Sequence, residues 1–240
     1  MPLPVVILAG GLATRLGPLT KQIPKSLIDV AGKPFAVHQI ELLQKHGFNR
    51  IVFCVGCLGK QIQAALGDGS RWGVDLRFVF DELNVPGSPT QLLGTGGAIK
   101  HALPLLGEAF LVLYGDTYLL CDYVAVIKEF QESGTLGLMT VFRNSNQWDH
   151  SNVIFTENKI LRYDKYHPSA DMQYIDYGLG VLCAQAFDPY PEDQPFDLVE
   201  VYQDLVRKNE LAGYEVTQRF YEIGTLSGLE ETRRFLSGCA

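Results

Sequence analysis

Short apolar runs alternate with segments of helical periodicity along roughly the first half of the chain. That alternation limits the architectures open to it. Residues 4–9, 50–55, 74–80 and 110–114 read as buried strands. Residues 34–46, 60–66, 95–106 and 122–132 read as the helices between them. In the first helix Phe35, Val37, Ile40 and Leu43 recur at helical spacing, so they belong to a core, and Gly47 stops the helix. Asp122 has the chemistry of an N-cap. Strands joined by helical crossovers run parallel, with helices on both faces of the sheet. Beyond Gly134 the rhythm changes to strands at 136–142, 153–155, 160–163 and 174–183, with Glu157-Asn158 as a hairpin turn. Helices at 196–208 and 226–236 follow. The expectation is an α/β chain with a mixed, mainly parallel sheet. One domain over residues 1–240 is expected, because no linker, low-complexity tract or internal repeat interrupts it.

The net charge of −7 argues against a nucleic-acid partner, which calls for a basic surplus. Local charge differs: between Gly10 and Lys33 stand Arg15, Lys21, Lys25 and Lys33 against one acid, Asp29. A basic loop on an acidic protein fits a small anionic ligand. No apolar run approaches the roughly 18 residues of a bilayer span, and no signal peptide is legible, so no membrane partner and a cytoplasmic location are expected. Five scattered cysteines suit a reducing compartment. Cys54 and Cys57 form a C-x-x-C, read as small apolar residues at a strand end because no second pair completes a zinc site. His38, His46 and His101 are read as surface or helix-face residues.

In open parallel sheets ligands sit beyond the carboxyl ends of the strands. Two segments end there with unusual chemistry. Gly10 and Gly11 follow the first strand and can adopt positive φ, exposing amides to a phosphate. Arg15 can contact phosphate oxygens in bidentate fashion, and Lys25 follows the stiff Pro24. No Walker or dinucleotide spacing occurs. Asp116 follows a buried strand and a glycine, where a carboxylate can hold Mg²⁺ or cap the next turn. Glu222 stands in a second such position. Trp148 can stack on a sugar face or pack with its N–H bonded, Asn152 and Asp176 can hydrogen-bond sugar hydroxyls, and Glu200 is read as a solvated helix face.

With these motifs in order, the chain resembles the sugar-1-phosphate nucleotidyltransferases. "LAGGLATRLGPLT" with "PKSLIDVAGKPF" is similar to that family's triphosphate signature. "LGTGGAI" resembles its base-side loop, "YGDTYL" its metal aspartate and "YEIGT" its late metal site. Trp148-Asp149-x-Ser151-Asn152-Val153 and Asp176-Tyr177-Gly178-Leu179-Gly180 look like sugar-side segments of the heptose-1-phosphate guanylyltransferases, and mannose-1-phosphate enzymes are near kin. The resemblance implies a Rossmann-like, glycosyltransferase-A-type fold. It implies transfer of a nucleotidyl group, GTP favoured, to a heptose- or mannose-type sugar-1-phosphate, with Mg²⁺ and release of pyrophosphate. By it Arg15, Lys25 and Asp116 are catalytic. Leu8, Ala9, Gly10, Gly11, Gly94, Thr95, Gly96 and Gly97 hold the nucleotide. Asn152, Lys165, Asp176, Tyr177 and Gly178 hold the sugar phosphate, and Asp116 and Glu222 hold the metal. Two positions depart from the pattern: Glu222 replaces the usual Asp, and Asp164 replaces the Glu before Lys165. Uridylyl or cytidylyl transfer to another sugar phosphate stays open, as does a non-catalytic nucleotide-sugar sensor. A homodimer is the base expectation.

Overall fold

A computed structural model describes residues 2–11, 22–56, 58–83, 91–144, 147–192 and 194–238. Among them nine strands form one sheet: β1 (Val5–Ala9), β2 (Arg50–Val55), β3 (Asp75–Phe80), β4 (Ala109–Tyr114), β5 (Gly137–Arg143), β6 (Val153–Thr156), β7 (Lys159–Tyr163), β8 (Tyr174–Cys183) and β9 (Leu211–Val216). The spatial order is β5-β9-β7-β6-β8-β4-β1-β2-β3, with β5 also pairing β8. Strands β3, β2, β1 and β4 run parallel, and β8 crosses β4 antiparallel. The helices are α1 (Phe35–Lys45), α2 (Gly59–Leu66), α3 (Gly94–Leu106), α4 (Tyr123–Ser133), α5 (Leu198–Lys208) and α6 (Leu226–Leu236). The mixed α/β expectation holds. Among the described residues no helix is long and apolar enough to cross a membrane.

Side-chain alternation along the central strands builds two cores. Val5, Ile7, Ile51, Phe53, Leu111 and Leu113 face one way, onto α1, α2 and α4. Val6, Val52, Cys54, Phe110 and Val112 face the other way, onto α3 and α5. Both faces are covered, as continuous apolar strands require. A smaller cluster of Ile28, Val30, Phe35, Ile223 and Leu229 ties α6 to the segment after Lys25. That cluster matters for the site, because it brings residues nearly two hundred positions apart onto one cleft.

Local rules account for most element ends. Asp122 caps α4 by accepting a hydrogen bond from the Ala125 amide at 3.0 Å, and Gly134 closes it at φ 66°. Glu157 and Asn158 both take positive φ in the two-residue turn between β6 and β7. Helix α5 starts at Leu198, two residues later than expected, because Asp197 forms a capping box with Glu200. Glu200 is exposed but not idle: it accepts the Asp197 amide at 2.9 Å. His38 corrects the surface reading. It is 7% exposed, and its Nε2 lies 2.7 Å from the Val30 carbonyl, with burial lowering its pKa.

Candidate active site

The parallel strands β1, β2, β3 and β4 end on one edge of the sheet. Asp116 stands there, in the turn after β4. Gln39 of α1 clamps that turn: its Nε2 donates to the carbonyls of Tyr114 at 2.9 Å and Thr117 at 2.8 Å. The sequence reading took only Phe35, Val37, Ile40 and Leu43 of α1 as buried and missed this. The signal was a polar residue at four-residue spacing between Phe35 and Leu43, on the buried stripe. Next to the turn, Thr117–Tyr118 pairs antiparallel with Tyr221–Glu222, and the Ile223 amide donates to the Asp116 carbonyl at 2.9 Å. Two-residue strands have no periodicity to read, yet this ladder sets Glu222 beside Asp116.

Lys25 begins a 3-10 turn, Lys25–Leu27, and its Nζ lies 2.9 Å from Asp116 Oδ2. Glu222 folds back on the start of α6. Its Oε2 accepts from the amides of Gly224 and, at 3.1 Å, Thr225, and its Oε1 accepts the Thr225 hydroxyl at 2.6 Å. A Cβ at Gly224 would stand 2.7 Å from Glu222 Oε2 and 3.5 Å from both Asp116 Oδ2 and Lys25 Nζ. Glycine therefore keeps open the space on which the two carboxylates and the ammonium converge. Two carboxylates facing an open point are the oxygen donors a hard divalent cation takes.

Two cavities meet at this point. The smaller, about 280 Å³, is lined by Leu8, Ala9, Gly10, Gly11, Gly94 and Thr95, among others. The larger, about 580 Å³, holds Asn152, Asp176, Tyr177, Gly178 and Glu222 in its wall. Lys25, Tyr114, Asp116 and Lys165 line both. Arg15 lies outside the described residues, as does Cys57. Neither Gly10 nor Gly11 has positive φ. Gly10 is needed for close approach instead, since a Cβ there would stand 2.6 Å from Oδ2 of Asp81. Asp81 is a buried residue of the small cavity's wall that sequence reasoning did not single out. Gly96 and Gly97 do not line either cavity. Their amides donate to the Phe196 carbonyl, and a Cβ on Gly96 would enter the Phe196 ring at 2.4 Å, so they build the joint between α3 and the segment leading into α5. Cys54 is a buried thiol directed at the Ala98 carbonyl, its pKa pushed up by desolvation.

In the larger cavity, Asn152 Oδ1 accepts the Asp176 amide at 2.9 Å and fixes that strand. Burial raises the Asp176 pKa, against the opposing effects of the Gly178 amide, Lys165 and the Tyr163 hydroxyl. The Tyr177 ring is buried in the core, edge-on to Phe220, so only part of that residue reaches the cavity. Asp164 is a turn former, not a cavity residue. It accepts the amides of Tyr166 and His167 and pairs with Arg162, and these bonds lower its pKa. At the mouth the Arg219 guanidinium lies 3.7 Å from the Trp148 ring centroid and pairs with Glu231 at 2.7 Å.

Asp197, which lines neither cavity, ties together two segments that carry wall residues. Asp197 Oδ1 accepts the Thr95 hydroxyl at 2.8 Å, and Asp197 Oδ2 accepts the Tyr166 hydroxyl at 3.3 Å. Thr95 Oγ1 in turn accepts the Leu198 amide at 2.8 Å. One helix cap thus holds both the Gly94–Thr95 corner and the loop that carries Lys165.

Comparison with known proteins agrees with this geometry. Residues 4–152 match the model of the nucleotidyl transferase family. The N-acetylmuramate alpha-1-phosphate uridylyltransferase of Neisseria meningitidis serogroup B is 30% identical, over 95% of this chain and 96% of that protein. The D-glycero-alpha-D-manno-heptose 1-phosphate guanylyltransferase of Campylobacter jejuni is 25% identical, over 91% of this chain and 93% of its own. The fold matches that of a putative glucose-1-phosphate thymidylyltransferase from Bacillus anthracis with a TM-score of 0.81, at 18% identity over 98% of this chain and 96% of that one. The chain therefore belongs to the nucleotidyl transferase family, within its sugar-1-phosphate enzymes.

Proposed function

We propose that this enzyme transfers guanylyl from GTP to a neutral heptose- or mannose-type sugar-1-phosphate, with Mg²⁺ as its metal and pyrophosphate as the second product. The observation that carries the reading is the seam of Lys25, Asp116 and Lys165 shared by two cavities, one for each substrate. A sugar-phosphate oxygen attacks the α-phosphorus, the bond from that phosphorus to the bridging oxygen breaks, and pyrophosphate leaves with the electron pair. The nucleophile is already an anion at neutral pH, so no general base is needed. The difficulty is holding two polyanions together, and Lys25 and Lys165 counter that repulsion from the seam itself. The Rossmann-like, glycosyltransferase-A reading of the sheet belongs to this proposal.

Asp116 and Glu222 would hold the metal, which when bound supplies neutralisation of phosphate charge. Mg²⁺ is commonly held by one or two carboxylates together with substrate phosphates. Two protein carboxylates fit that pattern, and among the described residues there is no group of three or more His, Cys, Asp or Glu that could hold a metal.

The charges of the two cavities support this choice of base and sugar. Asp81 offers the small cavity a carboxylate acceptor, which can take both the N1–H and the exocyclic amino group of guanine, where uracil presents only its N3–H. In the larger cavity Asp116, Asp149, Asp176, Glu222 and Glu231 outnumber Lys25, Lys165 and Arg219. An acid-rich wall accepts hydrogen bonds from hydroxyls and opposes a sugar with a carboxylate of its own. The second reading is uridylyl transfer, favoured by the 30% identity to the Neisseria enzyme. Pyrophosphate release measured with four nucleoside triphosphates against mannose-, heptose-, glucose- and N-acetylmuramate-1-phosphate separates the two. Activity that needs Mg²⁺, prefers GTP and disappears in Asp116→Ala is expected. A preference for UTP that survives Asp81→Ala would overturn the guanylyl assignment.

A further inference from the structure

Ser26 is 3% exposed and lines the smaller cavity, and among the described residues its hydroxyl has no hydrogen-bond partner. Buried hydroxyls are nearly always bonded, and an orphan costs on the order of 1–3 kcal/mol. The backbone around it is fully committed: the Leu27 amide donates to Pro24 O at 2.9 Å and the Ile28 amide to Lys25 O at 3.0 Å. These bonds hold the Ser26 backbone in the turn that presents Lys25. Two other orphan atoms nearby have local accounts. Gln39 Oε1 belongs to an amide whose nitrogen is spent on the Asp116 turn, and the Tyr177 hydroxyl belongs to a core ring. Ser26 has none.

Apolar and polar groups both line the smaller cavity. Leu8, Ala9, Cys54, Leu92 and Ala98 supply apolar surface, whereas Lys25, Ser26, Asp116 and Lys165 supply polar groups. Ser26 follows Lys25 in the same 3-10 turn and lines the same cavity as Lys25, Asp116 and Lys165. We propose that Ser26 is a substrate-binding residue whose hydroxyl donates a hydrogen bond to a phosphate oxygen of the nucleoside triphosphate, completing a partner set left open in the free protein. The claim rests on the nucleotidyltransferase reading and extends it to a residue outside the basic and acidic groups of the site.

An orphan hydroxyl that waits for a ligand has a signature of opposite signs. Ser26→Ala removes one oxygen and no packing. Its melting temperature without ligand equals or exceeds that of the wild type, because the unpaired group is gone. Its KM for the triphosphate rises about tenfold, the loss of one hydrogen bond to a charged group, with kcat and the KM for sugar-1-phosphate unchanged. Inorganic tripolyphosphate, which carries the phosphates without ribose or base, is the direct probe. Its affinity, read by thermal shift, falls by a similar factor in Ser26→Ala. Equal triphosphate KM in an active variant overturns the assignment, as does a lowered melting temperature, which marks a purely structural hydroxyl. A raised triphosphate KM with unchanged tripolyphosphate affinity moves the contact to the ribose or base and refutes the phosphate claim. Failure of the wild type to release pyrophosphate from any triphosphate defeats the nucleotidyltransferase reading instead, so the two failures are distinguishable.

Discussion

Gln39 lies in helix α1 and lines neither of the two cavities, yet two of its hydrogen bonds fix the turn that carries Asp116. Replacing it with Leu keeps the volume and removes the donors. Its Nε2 bonds to the Tyr114 and Thr117 carbonyls are 2.9 and 2.8 Å long, and the residue is 2% exposed. Tyr114 O retains the Thr117 hydroxyl at 3.2 Å, whereas Thr117 O loses the Gln39 donor. Two neutral bonds at about 1 kcal/mol each, with an added cost for the buried acceptor, give a destabilisation of roughly 3 kcal/mol. For a chain of this size that lowers the melting temperature by about 6–12 °C. The control is Ile40→Val, one residue along on the same buried helix, which costs about 0.5–1.5 kcal/mol and leaves the turn alone. Both variants are assayed for pyrophosphate release well below their melting temperatures. Ile40→Val keeps the wild-type kcat/KM. Gln39→Leu loses at least about tenfold, and its half-saturating Mg²⁺ rises, because an Asp116 displaced by even 1 Å no longer meets the reacting groups. A Gln39→Leu enzyme that melts early but shows wild-type kcat/KM and Mg²⁺ dependence would refute the claim that this amide positions Asp116.

Three further outcomes are expected. Tyr166→Phe removes the exposed bond to Asp197 and raises the KM for sugar-1-phosphate about threefold at unchanged melting temperature; Asp197→Ala also frees Thr95, so it raises the triphosphate KM as well. Burial holds the folded pKa of Asp176 above its ordinary value of 3.8, so the folded chain prefers the neutral acid, and ionisation subtracts stability as pH rises from there to the raised value. Asp176→Asn removes that slope in melting temperatures measured from about pH 4 to pH 7, and it weakens sugar-phosphate binding. Gly224→Ala drives a methyl against Glu222 Oε2 and into the space beside Asp116 and Lys25, so it abolishes Mg²⁺-dependent activity. In the Glu222→Asp background the same methyl does less harm, and strictly additive losses in the two-residue cycle would contradict the shared space.

Eight of the nine sheet strands were legible because apolar runs with Gly or Asp boundaries carry their own signal, whereas β9, pairing parallel with β5 after α5, was missed. β2 and β8 match their expected bounds, and α5 differs only where Asp197 caps it. What was not legible depends on contacts between distant segments. Gly96 and Gly97 read as a ligand loop, since a glycine needed for packing on Phe196 has the same letter as one needed for a phosphate. His38 read as a surface or helix-face residue because its partner, the Val30 carbonyl, is a backbone atom that no side-chain pattern marks. The capping role of Asp197 is visible from Asp-x-x-Glu alone, but its bonds to Thr95 and Tyr166 exist only once α3, α5 and the Lys165 loop are packed together.

The Glu at position 222 shows how a departure from a family pattern is absorbed by its neighbours. A longer side chain in place of Asp must either reach further into the cleft or turn aside, and here it turns aside. Its carboxylate sits at the N-terminal end of α6, bonded to the amides of Gly224 and the N-cap Thr225 that lead into the helix, where the helix dipole favours negative charge. That position is open because Gly224 and Gly228 have no side chains: a Cβ on Gly228 would overlap Oε1 at 1.7 Å. Thr232 Oγ1 donates to the Glu222 carbonyl at 2.8 Å, fixing the backbone at the same end. The extra methylene and the two glycines are thus one structural unit, spread over seven residues, which returns a carboxylate oxygen to within 2.7 Å of the point that Asp116 and Lys25 also face. A carboxylate has about four lone-pair sites, and three donated hydrogen bonds leave capacity on the side toward the cleft. The substitution changes the route by which the charge reaches the cleft while keeping the charge there.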